Sequence, residues 1–120
     1  MSRALKVSGF LGLTVQMLWG MGNVVGLMQG GNPGAAVGAH AHFGVLSIAA
    51  VVAGFAVEEF GVSGVQRSVA VWGYVAGQWL LPATIVGELF LPPQALLASF
   101  LWGILLTASM AILAYNALGQ

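Results

Sequence analysis

His40 and His42 are the two side chains of this sequence best suited to holding a metal or passing a proton, and both lie in the apolar stretch VGAHAHFG (residues 37–44). Two residues apart on a helix, they point roughly 200° away from each other. They therefore cannot share one metal ion from a regular helix, and they lack the i, i+4 spacing of a helical zinc site. The chain has no cysteine. Glu58 and Glu59 are expected at the opposite membrane face, which leaves Glu88 as the nearest carboxylate. A zinc or di-iron centre is disfavoured on this ligand supply. Single-imidazole chemistry remains open: one histidine as the axial ligand of a haem, or a hydrogen bond between helices. Helical geometry allows either histidine in that place.

These imidazoles stand in a chain that is 59% hydrophobic and 5% charged. A soluble domain carries about 25% charged residues to keep its surface solvated, and six charged groups cannot cover a 12.3 kDa globule. The composition indicates an integral membrane protein in the lipid bilayer. A net charge of zero with no basic cluster argues against nucleic acid as a partner.

Four apolar segments, roughly 7–28, 33–57, 65–87 and 94–116, each reach the ~20 residues that cross ~30 Å of hydrocarbon as a helix, and none alternates as a membrane strand would. QGGNPG breaks the first connection, with Asn32 as N-cap and Pro33 at the first helical position. EEFGVSG forms the second, with Ser63 as a cap, and ELFLPP the third. Short loops force antiparallel neighbours, so residues 1–120 are expected to form one all-α membrane domain, an up-down four-helix bundle. Residues 1–22 read as a span rather than a cleaved leader, because the apolar run is long and no small-x-small site follows promptly. Arg3, Lys6 and Arg67 fall on one side, which predicts a plasma-membrane protein with both termini cytoplasmic. Gly22 with Gly26 and Gly73 with Gly77 have the spacing that lets helices pack closely.

Counting 1.5 Å per residue places Asn23, His40, His42, Gln78 and Thr84 between the midplane and the outer boundary, at the depth of Trp19, Trp79 and Trp102. Polar groups in hydrocarbon usually face the bundle interior. The expected pocket is therefore Asn23, Ser47, Gln78 and Thr84 around the histidines, with Gly38 and Gly44 removing bulk and Met17, Met21, Trp19, Phe43, Trp72 and Trp79 as walls. Pro82 should free the carbonyl of Gln78 and bend the third helix.

The stretch GAHAHFGVLSIAAVVAGFAVEEFGVSGVQRSVAVWGYVAGQW (residues 38–79) resembles the styrene oxide isomerase family, through Ala39-His40 opening an apolar helix, the short loop to Arg67, and Gly77-x-Trp79. The small His-x-His pattern also looks like haem-copper oxidase relatives and the NnrS membrane family. The isomerase resemblance implies a four-helix membrane protein binding haem b through a histidine of helix two. His40 would be the metal ligand, with His42, Gly44 and Trp79 lining the cofactor. It also implies Lewis-acid opening of an epoxide in a small apolar substrate. The assisting asparagine and tyrosine of that family are not matched: Leu46 and Ser47 lie two turns after His40, and Pro82 and Thr84 follow Trp79. The competing expectation is a non-enzymatic subunit or assembly factor of a larger membrane complex. Either role suits a homo-oligomer. A transport path is ranked last, because it needs polar groups through both membrane halves.

Overall fold

The computed structural model describes residues 1–32 and 34–120 and is helical throughout. α1 spans Ser2–Met28, α2 Gly34–Glu59, α3 Gly64–Gly87 and α4 Leu97–Leu118, the last entered through a single 3₁₀ turn at Pro93–Leu96. All four are long and apolar enough to cross a membrane. This is an integral membrane protein with an all-α, four-helix bundle fold.

Two helix ends differ clearly from the sequence expectation. α1 begins at Ser2 rather than near residue 7, because its polar first turns have partners: Ser2 and Lys6 both bond the carboxylate of Glu58, and Arg67 reaches Ser2. Glu58 and Glu59 belong to α2, not to the connection. Ser63 stands at the N-cap of α3 but makes no cap hydrogen bond. Pro33 lies outside the described residues. Asn32 does accept a hydrogen bond from the Gly34 amide, at 3.2 Å.

Two helix ends close on left-handed glycines. Gly30 (φ 78°) follows α1 and Gly61 (φ 61°) follows α2, each letting the chain reverse while the last carbonyls find donors. After α2 the Val62 amide bonds the Val57 carbonyl at 3.1 Å, and both side chains are buried, which is the hydrophobic contact that accompanies such a stop.

In space α1 packs on α2, α2 on α3 and α3 on α4. α1 also touches α3, α2 meets α4 only slightly, and α1 and α4 do not touch among the described residues. The result is a flattened bundle of 52 × 29 × 20 Å. Its core lies toward the termini: Leu5, Ala50, Ala53, Val57, Val62, Val71, Tyr74 and Leu113.

Glycine decides how close the helices come. On α1, Gly9 faces the backbone of α2, where a Cβ would stand 2.7 Å from the Ser47 carbonyl. Gly12 faces the Ser47 and Gln78 side chains. Across the seam, Gly44 makes room for Gln16 and Gly54 for Lys6. Gly73 and Gly77 do the same between α3 and α4, against Ser109 and Leu106. The other expected pair behaves differently: Gly22 and Gly26 have nothing within 4 Å of a built Cβ. α3 continues through Pro82 as one helix.

Candidate functional site

The single outer pocket expected from depth counting is not what the fold builds. The polar side chains separate into three groups, because helix offset and tilt decide which residues meet and a residue count along each helix does not contain them.

The first group lies where α1, α2 and α3 meet. Gln78 is fully buried (0% exposed). Its Oε1 accepts from the Ser8 hydroxyl at 2.9 Å. Its Nε2 donates to the Ser8 carbonyl and to Ser47 Oγ, each at 3.1 Å. Ser47 Oγ donates in turn to the Phe43 carbonyl, and Trp79 Nε1 donates to Ser8 Oγ at 2.8 Å. Both donors and the acceptor of the Gln78 amide are thus used. A saturated network of this kind holds three helices in register and offers nothing to a ligand. Gln78 and Ser47 leave the predicted pocket and become structural.

The second group is Gln16 and His40. Gln16 Nε2 and His40 Nε2 are 2.9 Å apart. Gln16 lies eight residues beyond Ser8 on α1, about 12 Å along the helix, so His40 is remote from Gln78. His40 is the inward-turned histidine of the two. Gly20 lies over it, and a Cβ there would stand 2.9 Å from His40 Nε2. Trp19, Phe43 and Trp79 form an aromatic chain beside it, with centroids 6.4 and 4.9 Å apart and Trp19 edge-on to His40 at 6.2 Å. Gly44, expected to line a cofactor, is buried against Gln16 instead. Met17, Met21 and Trp72 are exposed and wall nothing inside the bundle.

The third group joins α3 to α4. Thr84 donates to the Leu80 carbonyl and accepts from Trp102 Nε1 at 2.9 Å, which removes it from the pocket. Asn23 is half-buried on α1, one turn beyond Gly20.

His42 has the opposite surroundings to His40. It is exposed on the flank of α2 that faces away from α1, and its Nδ1 bonds the Gly38 carbonyl at 2.9 Å. A carbonyl can only accept, so Nδ1 carries the hydrogen, and in the neutral tautomer this fixes, Nε2 holds the lone pair. The cleft it lines, of about 330 Å³, has walls of Ala41, Val45, Leu46 and Leu81. Through Val45 and Leu46 this cleft runs into a longer trough between α2 and α4. No three His, Cys, Asp or Glu side chains converge among the described residues.

Sequence reasoning missed Ser8, Gln16 and Gly12 as partners in these groups. A signal was present. Gly9, Gly12, Gln16 and Gly20 on α1, and His40, Gly44, Ser47 and Gly54 on α2, recur at the three- and four-residue steps of a helix–helix seam.

With this geometry in place, the family can be stated. The chain matches Domain of unknown function (DUF8059) over residues 1–120. It belongs to that family. No curated protein and no solved structure matches it.

Proposed function

We propose that this DUF8059 protein binds haem b through one imidazole of α2, and that the imidazole is His42. The observation that carries the reading is the Nδ1–Gly38 hydrogen bond, which leaves Nε2 as a neutral, oriented donor atom beside an apolar cleft. A second hydrogen bond on the far nitrogen is what fixes and strengthens a metal-ligating histidine. His40 fits the role less well, because its Nε2 is already bonded to Gln16 and covered by Gly20. Bound iron would supply a Lewis-acid or redox centre. Ala41, Val45, Leu46 and Leu81 would keep water from it.

The test is an absorption spectrum of the purified protein after haem loading. A Soret band lost in His42→Ala and kept in His40→Ala supports the proposal. The reverse pattern moves the ligand to His40, and a colourless protein that shows no Soret shift overturns haem binding altogether. Isomerase activity on a small apolar epoxide is the catalytic extension of this reading, and turnover by the haem-loaded protein tests it.

We also propose that both termini face the cytoplasm at the plasma membrane. Arg3, Lys6 and Arg67 gather at the end of the bundle where the termini lie. The chain has no native cysteine, so single cysteines at residues 3 and 88, probed with an impermeant maleimide on intact cells, read the orientation directly.

A second reading has one observation in its favour. Gly22, Gly26 and Gly103 face open space, as they would if packed against a neighbouring subunit of a homo-oligomer or a larger complex. Stoichiometric partners retained in mild detergent would favour that role.

A further inference from the structure

Lys6, Glu58, Ser2 and Arg67 meet at the end of the bundle where α1 and α3 begin, and one of them is left without a match. Lys6 is committed: its Nζ pairs with Glu58 Oε2 and lies over the Phe55 ring, 4.1 Å from the centroid. Glu58 is committed too, with Oε1 taking the Ser2 hydroxyl. Ser2 Oγ has given its proton to Glu58 and can only accept from elsewhere. Arg67 is what remains. Of the donors on its guanidinium fork, only Nη2 makes a hydrogen bond among the described residues, to Ser2 Oγ at 3.5 Å, the outer limit for such a bond. Its Nε is buried without an acceptor. Lys6–Glu58 is the only ion pair among the described residues, so the cluster keeps a net positive charge, on Arg67.

The depth of Arg67 decides which anion it meets. α3 is 24 residues long, about 36 Å at 1.5 Å per residue. Hydrocarbon accounts for about 30 Å, so about 3 Å of helix projects at each end. Arg67 is three steps from Gly64, about 4.5 Å inside the helix end, and a helical side chain leans toward the N-terminus. The guanidinium is thus carried to the boundary between hydrocarbon and headgroups, the level of phospholipid phosphates. Burial of Nε holds it there instead of letting it swing into water. Ser63, four residues earlier, lies on the same side of the helix and makes no cap hydrogen bond. An uncommitted hydroxyl therefore stands in the direction in which Arg67 leans.

We propose that Arg67 binds the phosphate diester of an anionic phospholipid such as phosphatidylglycerol, with Ser63 as a second donor. Phosphate fits the guanidinium fork, and charge-assisted hydrogen bonds of this kind are strong. A phosphatidylcholine head is disfavoured, because it brings its own cation to a site that already holds an uncompensated one. The inference needs only the membrane-spanning bundle and is independent of the haem proposal.

The chain has two arginines, Arg3 and Arg67, so isotopic labelling of arginine alone gives two side-chain Nε–H signals by nuclear magnetic resonance. The experiment uses the full-length protein in phosphatidylcholine bicelles, with phosphatidylglycerol added stepwise. The Arg67 signal should move and saturate, while the Arg3 signal drifts without saturating. At about 0.5 M salt the Arg3 drift should fade and the Arg67 response persist, because distant charges are screened more than a contact pair. Spin-labelled lipids then read selectivity. Phosphatidylglycerol should be held about ten-fold over phosphatidylcholine, the scale of a hydrogen bond to a charged group. Arg67→Gln should bring that ratio to about one. Arg67→Lys, which keeps the charge without the fork, should bring it to about three, and Ser63→Ala should lower it about two-fold. If Arg67→Gln loses helicity by circular dichroism, Arg67→Lys and the wild-type titration decide. No saturable Arg67 shift, or a ratio unchanged in the Arg67 variants, would overturn the proposal. So would an Arg67 signal that moves in Glu58→Gln but not with phosphatidylglycerol, which assigns the guanidinium to Glu58. A signal that moves as strongly with inorganic phosphate as with the lipid would overturn it too, and assign the site to a soluble anion.

Discussion

α2 is closed along one flank and open along the other. Toward α1 it presents His40, Gly44, Ser47 and Gly54, and α1 answers with Gly9, Gly12, Gln16 and Gly20. Backbones approach, and Gln16 bonds His40 across the same seam. Toward α4 it presents Val45, Ile48, Ala49 and Val52, with no glycine among them, and a trough of about 610 Å³ remains. The open flank is the more apolar of the two. They differ in whether each helix removes side-chain volume where the other inserts it. In a bilayer, lipid competes for apolar surface as well as a neighbouring helix does, so close packing and interhelical hydrogen bonds decide which flank closes. The two histidines report the result: His40 is on the closed flank and His42 on the open one.

The comparison can be broken most severely at the seam. Gly12→Leu would drive a side chain into Ser47 and Gln78, with overpacking and loss of the amide network together. We expect a destabilisation of about 3 kcal/mol or more, seen as a lowered midpoint in thermal unfolding in detergent. A side chain added at an unpacked glycine, as in Gly22→Ala, should stay within about 0.5 kcal/mol.

Gln78→Leu comes next. It removes three hydrogen bonds and leaves the Ser8 hydroxyl without its acceptor. A cost of about 1–3 kcal/mol is expected in the same assay. An unchanged midpoint would mean that the network does not hold the helices together.

The histidines give the sharpest contrast at smaller magnitude. His40→Ala should cost about 0.6 kcal/mol, the average for an interhelical hydrogen bond in a membrane, and should leave the haem spectrum intact. His42→Ala should leave stability within about 0.5 kcal/mol and abolish the spectrum. Opposite signatures from two residues of one type, two positions apart, would tie function to the open flank.

At the bottom of the scale, Lys6→Gln removes the ion pair to Glu58 at the exposed end of the bundle. The effect should be slight and should fade as salt is raised. An effect independent of salt would assign that end to packing.

Hydropathy and breaker residues are local quantities, and they were enough to determine four membrane helices, three short connections and the opposite directions of His40 and His42. Each follows from helix length or from 3.6 residues per turn. The glycine seam was legible in principle too, as small and polar residues at three- and four-residue steps on both α1 and α2. Of the glycine pairs four residues apart, Gly73–Gly77 is packed and Gly22–Gly26 is not, and spacing alone does not separate them.

Partnership belonged to the tertiary structure. Depth counting gathered Asn23, His40, Gln78 and Thr84 into one pocket. The fold pairs Gln78 with Ser8, His40 with Gln16 and Thr84 with Trp102. A side chain's depth depends on its own helix, but its partner depends on the tilt and sliding of the helix beside it, which is set by every glycine along their shared seam. The open trough beside His42 exists only because α4 settles against α3 and leaves α2 uncovered.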